Sequence, residues 1–286
     1  MTEPTDRLGI PLGGGSSEAQ LFEGVVYRLA RPWASSVHTA LRYLEHRGVT
    51  CVPRVADTSF SPDGFETLTY IEGDAVPPTG LTKEGGYALG ELLRAIHDGL
   101  RRYQSPLDPN WMPSWMRTSS GLGQMWGHCD VAPWNLVCKD GIPIALIDWD
   151  SFGRTTLVWE LAQAIWLNAQ LFDDDVVALH GLPLANERMK VARAICDGYG
   201  VTLSMRRQLP DAMIEVAIRT AAQEATDAGV TETGLSPAQY GQLGGGTPFT
   251  GHQLTWAMAW RIRSARWMLQ NRSMLEEALV SDVEDP

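Results

Sequence analysis

One stretch of the sequence places oxygen-bearing side chains at a spacing that could do chemistry. Asp130 and Asn135 lie in a loop-like segment, and Asp148 and Asp150 follow the apolar run at residues 142–147. Carboxylate and amide oxygens are hard ligands suited to Mg²⁺, which completes its octahedron with water and phosphate oxygens. A further carboxylate that stays off the metal could orient a hydroxyl nucleophile. The stretch therefore indicates metal-assisted chemistry on a hydroxyl group.

A hairpin must position these side chains. The Lys-Asp-Gly turn at residues 139–141 separates two short apolar runs, a pattern typical of antiparallel strands joined by a tight turn. The loop before the first strand and the residues after the second then meet at the open end of the hairpin. We expect the carboxylates and the amide to converge on one point there.

The spacing also resembles a known signature. The pattern H-x-D-x-x-x-x-N over residues 128–135, followed by I-D-W-D at residues 147–150, is similar to the catalytic loop and metal-binding motif of the aminoglycoside phosphotransferase-like family of small-molecule kinases. The chain departs from the family at Cys129, where the family usually has glycine. The resemblance implies transfer of a phosphoryl group from a nucleotide to a hydroxyl.

The resemblance also implies a role for each residue of the stretch. Asp130 would orient the acceptor hydroxyl and accept its proton, while Asn135 and Asp148 would hold Mg²⁺ against the nucleotide phosphates. His128 would be a scaffold whose ring bonds nearby backbone. For Asp150 three roles stay open: contact with a second metal, orientation of the loop, or contact with the substrate.

Residues near the N-terminus predict a nucleotide site. A glycine-rich turn between strands can bring backbone N–H groups close to phosphates. Its residues are Gly13, Gly14, Gly15 and Ser16. It is not a Walker A loop, because no Gly-Lys-Ser/Thr follows. Strand-like runs at residues 19–22 and 25–29 come next, and Arg28 stands where kinases carry a phosphate-binding lysine, with Arg31 as the second candidate.

In kinases a glutamate of the next helix holds that phosphate-binding residue. Here the serines at residues 35–36 can cap a helix that ends at Gly48, and apolar residues between them recur at helical spacing. His38 and Glu45 both lie on this helix. The spacing does not decide which of them pairs with Arg28.

The segment after this helix resembles a kinase hinge. Strand-like runs at residues 51–60 and 65–71 flank a Ser-Pro-Asp-Gly turn. The resemblance implies that the carbonyl of Thr69 and the N–H of Ile71 hydrogen-bond adenine. Because backbone groups make these contacts, the side chains carry little information about them.

The pattern as a whole predicts an α+β, protein-kinase-like bilobal fold. We expect a small N-terminal nucleotide-binding lobe, residues 1–75, built from an antiparallel sheet and one helix. A larger, mainly helical lobe, residues 76–286, would carry the catalytic loop and the substrate site. Its helices are predicted at residues 83–103, 158–168, 186–199, 210–227 and 253–280.

The acceptor pocket is the part that the sequence specifies least. A loop rich in glycine, threonine and proline at residues 229–250 could flank it, and Glu224 and Asp227 are candidates to hold substrate amines. The three aspartates at residues 173–175 fit the start of a helix, where acidic side chains suit the helix dipole.

Composition sets further bounds. With 286 residues, 44% of them hydrophobic and 20% charged, the chain can bury a large core. Its net charge of −11 argues against a nucleic-acid partner and is compatible with a cationic acceptor. No apolar run approaches the roughly 20 residues of a membrane helix. The four cysteines show no zinc-like spacing, and no signal peptide is visible, so a cytoplasmic location is expected.

These observations favour an ATP-dependent kinase of a small-molecule hydroxyl, with GTP as an alternative donor and Mg²⁺ as the metal. An antibiotic acceptor (an aminoglycoside, a basic peptide or a nucleoside antibiotic) fits the resemblance and the acidity. A metabolic alcohol such as choline, homoserine or an amino sugar is the alternative. Cys129 and Arg28, which depart from the family, keep open a pseudokinase that binds ligand without turnover. Metal-dependent hydrolysis lacks the histidine-rich ligand set that such sites commonly show. The sequence does not indicate the oligomeric state.

Overall fold

The computed structural model describes most of the chain. The described residues are 9–12, 19–117, 124–232, 234–235 and 251–281. The predicted phosphate loop, Gly13 to Ser16, lies outside them and stays a prediction.

The N-terminal part is a five-stranded antiparallel sheet with the strand order β1-β2-β3-β5-β4. Its strands are β1 (Ile10–Pro11), β2 (Gln20–Phe22), β3 (Val25–Leu29), β4 (Val55–Phe60) and β5 (Phe65–Thr69). The strand expected from residue 51 begins at Val55. In the register of β3 and β5, Arg28 lies directly opposite Glu66. Opposed residues of paired strands place their side chains on the same face of the sheet.

One helix, α1 (Ala34–His46), accompanies the sheet. The prediction that serines 35–36 cap it is wrong, because the N-cap is Trp33 and Ser36 is buried within the first turn. The Ser36 hydroxyl instead accepts a hydrogen bond from the backbone N–H of Asn110 (2.9 Å). The helix ends where predicted: Gly48 has φ +77° and its N–H bonds the carbonyl of Glu45.

The segment between the two parts of the molecule is attached to the second part through backbone. The N–H of Asp74 bonds the carbonyl of Cys138 (2.8 Å), and the N–H of Cys138 bonds the carbonyl of Asp74 (2.7 Å). A Cβ on Gly73 would lie 2.5 Å from the Cys138 carbonyl oxygen. Glycine therefore permits the close approach of these two backbones.

The second part is mainly helical. Its helices are α2 (Lys83–Leu100), α3 (Leu157–Asn168), α4 (Asp174–His180), α5 (Ala185–Tyr199), α6 (Leu203–Arg206), α7 (Leu209–Asp227), α8 (Gly251–Gln270) and α9 (Arg272–Val280). Its strand pairs are β6 (Gln124–Gly127) with β9 (Gly153–Thr156), β7 (Leu136–Lys139) with β8 (Ile142–Leu146), and β10 (Val230–Thr231) with β11 (Gly234–Leu235). The predicted catalytic hairpin is β7–β8.

Two helix predictions show how local signals succeed and fail. Asp173 caps α4 by accepting the N–H of Val176 (3.1 Å), as the acidic run predicted. The prediction of a single terminal helix over residues 253–280 is wrong, because the helix is interrupted at Asn271. The side-chain amide of Asn271 bonds the carbonyl of Trp267 (2.8 Å), and its backbone leaves the helical region.

The core of this part lies between α2, α3, α5 and α7. Fully buried apolar side chains of these helices pack under the β7–β8 hairpin, among them Leu89, Leu93, Ile165, Trp166 and Ile195. This packing fixes the start of α3 beneath the catalytic loop. No helix of the described residues combines the length and the apolar character needed to cross a membrane.

Candidate active site

The catalytic loop is supported by the ring of His128. Its Nε2 donates to the carbonyl of Ile147 (2.9 Å), and its Nδ1 accepts the N–H of Asp130 (3.3 Å). Both bonds together require the neutral imidazole with its proton on Nε2. Burial lowers the pKa of His128, which agrees with that form. The ring thus ties the loop to the end of β8, as the sequence predicted for a scaffold.

A buried glutamate holds the same loop from below. Oε1 of Glu160 accepts the N–H of His128 (2.7 Å), and Oε2 accepts the N–H of Cys129 (3.0 Å). Glu160 lies in the first turn of α3 and is fully buried, with His97 at 3.6 Å. Burial alone would raise the pKa of Glu160. Hydrogen bonding from His97 and from the loop N–H groups lowers that pKa by a larger amount, so the net shift is downward. Glu160 therefore carries a charge that fixes the loop backbone.

The departure at Cys129 has a conformational explanation. Its φ is +62°, in the left-handed region where glycine is at no disadvantage. A non-glycine residue there costs about 1 kcal/mol or more, which accounts for glycine in the family signature. Here the side chain is buried, and burial raises its pKa well above the usual range. Cys129 is thus a neutral packing residue rather than a nucleophile.

Asp130 and Asn135 are joined side chain to side chain. The Asn135 amide Nδ2 donates to the Asp130 carboxylate (2.8 Å) and to its carbonyl (2.9 Å). Burial and the nearby charge of Asp148 raise the pKa of Asp130 to about 7, although the Asn135 bond opposes this shift. A carboxyl group that titrates near neutrality suits a general base. Since Nδ2 is engaged, Oδ1 is the Asn135 atom that could ligate a metal.

Arg28 binds three carboxylates at once. Its Nε contacts Glu66 (2.7 Å), Nη1 contacts Asp148 (2.8 Å) and Nη2 contacts Asp150 (2.8 Å). Burial alone would lower the Arg28 pKa, but the three carboxylates outweigh it and raise the pKa. Arg28 thus joins the N-terminal sheet to the two aspartates that follow the β7–β8 hairpin.

The partner of Arg28 is the residue that the sequence analysis missed. His38 bonds Glu66 rather than Arg28 (2.9 Å), and Glu45 pairs with Arg54 at the surface (3.5 Å). The helical candidates therefore do not pair with Arg28 directly. The sequence carried no local signal for this role, because the strand Phe65–Thr69 mixes polar and apolar residues, and the structure shows that Glu66 is completely buried. A buried carboxylate requires a charged or hydrogen-bonding partner.

The predicted metal ligands fit Mg²⁺ by their chemistry. Asp148 has a left-handed backbone (φ +60°), and its carboxylate contacts Arg28. Asp148 and Asn135 could supply two hard oxygen ligands, the number that suits Mg²⁺ when phosphate and water complete its shell. Within the described residues no cluster of three or more His, Cys, Asp or Glu side chains is arranged to hold a metal. The metal site therefore stays a prediction.

Each of the predicted substrate carboxylates has a bonding partner of its own. Asp150 is held by Arg28, while Glu224 near the end of α7 pairs with Arg261 of α8 (2.8 Å). Arg261 also lowers the pKa of Asp130 electrostatically, so this ion pair lies close to the base. Asp227 accepts the amide of Gln223 (2.5 Å), and burial raises its pKa.

The predicted adenine contacts stay a prediction. Thr69 ends β5, and its N–H and hydroxyl are both bonded to the backbone of Arg54 (2.8 and 2.9 Å). The N–H of Tyr70 bonds the carbonyl of Gly24 (2.9 Å). The strand end is therefore well anchored, and Ile71 follows it toward the second part.

The fold is shared with several small-molecule kinases. The chain aligns with the choline/ethanolamine kinase family protein of Mesorhizobium loti (15% identity, TM-score 0.56, covering 94% of this chain and 91% of that one). It also aligns with a microcompartment-associated aminopropanol kinase (14%, 0.59, 93% and 91%). A third match is an amicoumacin kinase in complex with AMP-PNP, Ca²⁺ and Ami (12%, 0.59, 89% and 87%). The predicted kinase-like fold, with an N-terminal antiparallel sheet and a mainly helical second part, is confirmed.

A relative found by sequence comparison shows the family to which the chain belongs. The chain is 40% identical over 268 residues to the trifolitoxin immunity protein of Rhizobium leguminosarum bv. trifolii, which covers 93% of this chain and 97% of that protein. The chain therefore belongs to the family of the trifolitoxin immunity protein. No protein-family model matches it.

Proposed function

We propose that this protein is a nucleoside triphosphate-dependent O-phosphotransferase that inactivates a toxin or antibiotic by phosphorylating one of its hydroxyl groups. The observation that carries the proposal is the geometry at Asp130. Its carboxyl group has a pKa of about 7, is bonded to the metal-ligand candidate Asn135 and lies near Asp148. The proximity of these side chains on a kinase-like fold supports a phosphoryl-transfer site with Asp130 as the base and with Asn135 and Asp148 as metal ligands.

The chemical step follows from this arrangement. Asp130 orients the acceptor hydroxyl, whose oxygen forms a bond to the γ-phosphorus while the bond from that phosphorus to the β–γ bridging oxygen breaks. The hydroxyl proton passes to the Asp130 carboxylate, and the nucleoside diphosphate leaves. Asn135 and Asp148 would hold Mg²⁺, which neutralises phosphate charge.

Arg28 would replace the phosphate-binding lysine of other kinases. Its guanidinium lies on Asp148 and Asp150, which places a positive charge at the metal-binding end of the hairpin. Arginine presents several N–H donors in a plane and can bind a phosphate while it keeps a carboxylate. ATP is the expected donor and GTP the alternative.

The toxin as acceptor is supported by the family. The related protein is named for immunity to trifolitoxin, and phosphorylation of a toxin hydroxyl is a direct route to immunity for a kinase-like fold. The metabolic alternative is a small alcohol such as choline or aminopropanol. A third alternative, a pseudokinase that sequesters the toxin, loses support because Cys129 is accommodated in the loop without disturbing Asp130.

The test is a transfer assay with the purified full chain, MgATP and separate acceptors: trifolitoxin, gentamicin, choline and aminopropanol. A mass gain of one phosphate on the toxin is the expected result. Asp130→Asn should abolish the gain, and Asp63→Asn, in an exposed turn away from the loop, should preserve it. Transfer to choline or aminopropanol alone would establish the metabolic alternative. Protection of sensitive cells by Asp130→Asn as complete as by the unmodified chain would exclude phosphorylation as the cause of immunity.

A further inference from the structure

Helix α3 is almost wholly apolar, and its three polar side chains are all buried. Of its 12 residues only Glu160, Gln163 and Asn168 are polar, and they are 0%, 5% and 2% exposed. A buried polar side chain costs stability unless it is hydrogen-bonded. All three side chains bond the backbone of the catalytic loop. Glu160 binds the two N–H groups that precede Asp130, and the other two side chains bind the loop after Asp130.

Val131, the residue that follows Asp130, is held at both of its backbone polar groups. Oε1 of Gln163 accepts the N–H of Val131 (3.0 Å), and Nδ2 of Asn168 donates to its carbonyl (2.9 Å). The N–H of Val131 belongs to the planar peptide unit that also contains the carbonyl of Asp130. Gln163 therefore fixes the peptide plane immediately after Asp130, and with Glu160 it holds the backbone on both sides of that residue.

The hydrogen bonds of Asn168 are not explained by stability alone. Its Nδ2 also donates to the carbonyl of Ala164, one turn earlier in α3 (2.8 Å). Its Oδ1 is buried and has no hydrogen-bond partner among the residues that the structure describes. A buried oxygen without a partner costs stability. A leucine of similar size would avoid this cost in an apolar helix, but it could not bond Val131.

We propose that Gln163 and Asn168 are positioning residues, which fix the direction of the Asp130 side chain by holding Val131 at its N–H and its carbonyl. The proposal rests on the proposed function in taking Asp130 as the base. It extends the support of the loop beyond Glu160 and assigns one task to all three polar residues of α3, the alignment of the base with the acceptor hydroxyl.

The experiment compares four variants of the full chain with wild type. Gln163→Met and Asn168→Leu remove one loop bond each and keep the size of the side chain. Gln163→Glu is the conservative variant, because a carboxyl oxygen can still accept the N–H of Val131. Ile195→Val removes one methylene from the core at α5 and is the control for a loss of stability without a loss of a loop bond.

Three quantities are measured for each variant: the thermal unfolding midpoint, the hydrogen-exchange rate of the Val131 amide, and kcat and KM for MgATP with trifolitoxin as the acceptor. For Gln163→Met and Asn168→Leu we expect the Val131 amide to exchange at least about tenfold faster, while the amide of Leu93 in α2 keeps its rate. We expect kcat to fall at least about tenfold, with KM for MgATP within about threefold of wild type.

Gln163→Glu should keep the wild-type exchange rate and kcat, and Ile195→Val should lower the unfolding midpoint while keeping kcat. A kcat in both apolar variants equal to that of Ile195→Val would overturn the proposal, and so would a loss of kcat in Gln163→Glu as large as in Gln163→Met. An unchanged exchange rate of Val131 in both apolar variants would overturn it whether or not the toxin is phosphorylated. If wild type phosphorylates no acceptor but the exchange rates change as expected, the proposed function fails and the anchoring of Val131 by α3 stands.

Discussion

At the scale of single residues, Arg28 shows how one side chain can hold two parts of a molecule together. Each of its guanidinium nitrogens meets a different carboxylate, and Glu66 and Asp148 come from different parts of the chain. A lysine carries one nitrogen and cannot span these positions. The replacement of the usual lysine by arginine is therefore linked to the presence of Glu66 opposite it on β5.

Arg28→Lys should destabilise the protein. The single ammonium would leave at least one of the buried or half-buried carboxylates without its charged donor, and we expect the free energy of unfolding to fall by about 1–3 kcal/mol. Urea unfolding measures the change. Arg54→Lys, at the exposed pair with Glu45, is the control and should change the free energy by less than about 0.5 kcal/mol. Equal changes in the unfolding free energy for the two substitutions would contradict a stabilising role of the three Arg28–carboxylate contacts.

Asp130 should reveal its raised pKa through the pH dependence of stability. Between its ordinary pKa of 3.8 and its native pKa of about 7, the folded protein binds more protons than the unfolded chain. Stability contributed by this group therefore decreases as the pH rises through that window. Asp130→Asn removes the cost of ionising this buried carboxyl group. The variant should therefore exceed wild type in unfolding free energy at pH 8 by on the order of 2 kcal/mol.

The difference between Asp130→Asn and wild type should shrink toward pH 5, where the native carboxyl group is already protonated. Denaturant unfolding at both pH values measures it, and ¹³C NMR of the carboxyl carbons gives the titration directly in protein without nucleotide. A constant difference at both pH values would show that Asp130 has an ordinary pKa. Asp63→Asn, at an exposed turn, is the matched control for the loss of one carboxylate.

At the scale of elements, local signals predicted what local interactions decide. The β7–β8 hairpin follows from its turn residues, and α4 begins at Asp173 because that side chain caps it. The start of α1 could not be predicted, because Ser36 bonds Asn110, a residue 74 positions away in the sequence. Glu66 was missed for the same reason: its partners come from two other elements. The sequence motif predicted the residues of the loop. The residues that hold this loop in place could be identified only from the structure.

The start of α3 is the element that supports the catalytic loop. Glu160→Asp shortens the side chain by one methylene, so it can no longer accept both loop N–H groups. We expect one buried donor to lose its partner, which costs about 1–3 kcal/mol of unfolding free energy. We also expect kcat to fall at least about tenfold, because Asp130 is positioned by that backbone.

Two measurements separate this positioning role from general damage. The Kd for AMP-PNP should stay within about threefold of wild type, since Glu160 contacts the loop backbone rather than the predicted nucleotide site. Glu187→Asp, at an exposed first turn of α5, is the control and should leave kcat unchanged. If Glu160→Asp retained wild-type kcat and stability, the two N–H bonds would not be what fixes the loop.

At the scale of the whole molecule, several contacts join the sheet and its helix to the helical part. Two of them are the contacts of Arg28 with Asp148 and Asp150 and the Asp74–Cys138 backbone bridge. Both hold the predicted nucleotide-binding strands against the β7–β8 hairpin. The boundary predicted near residue 75 falls next to the bridge, and the sequence signalled it only through a cluster of proline and glycine. The bridge itself could not be predicted, because it is made by backbone atoms of segments distant in the sequence.

Gly73→Ala tests whether this bridge sets the relation between the two parts. The new methyl would lie 2.5 Å from both the Cys138 carbonyl oxygen and a Val137 methyl, and neither side can withdraw without moving β7. Overpacking of this kind costs about 1–3 kcal/mol, so the unfolding free energy should fall by that amount. Because β7 leads directly from Asn135, the Kd for AMP-PNP with Mg²⁺ should rise as well. Asp74→Ala keeps both backbone hydrogen bonds and should match wild type in both measurements. A Gly73→Ala protein with unchanged stability and nucleotide affinity would show that the bridge does not set the relation between the two parts.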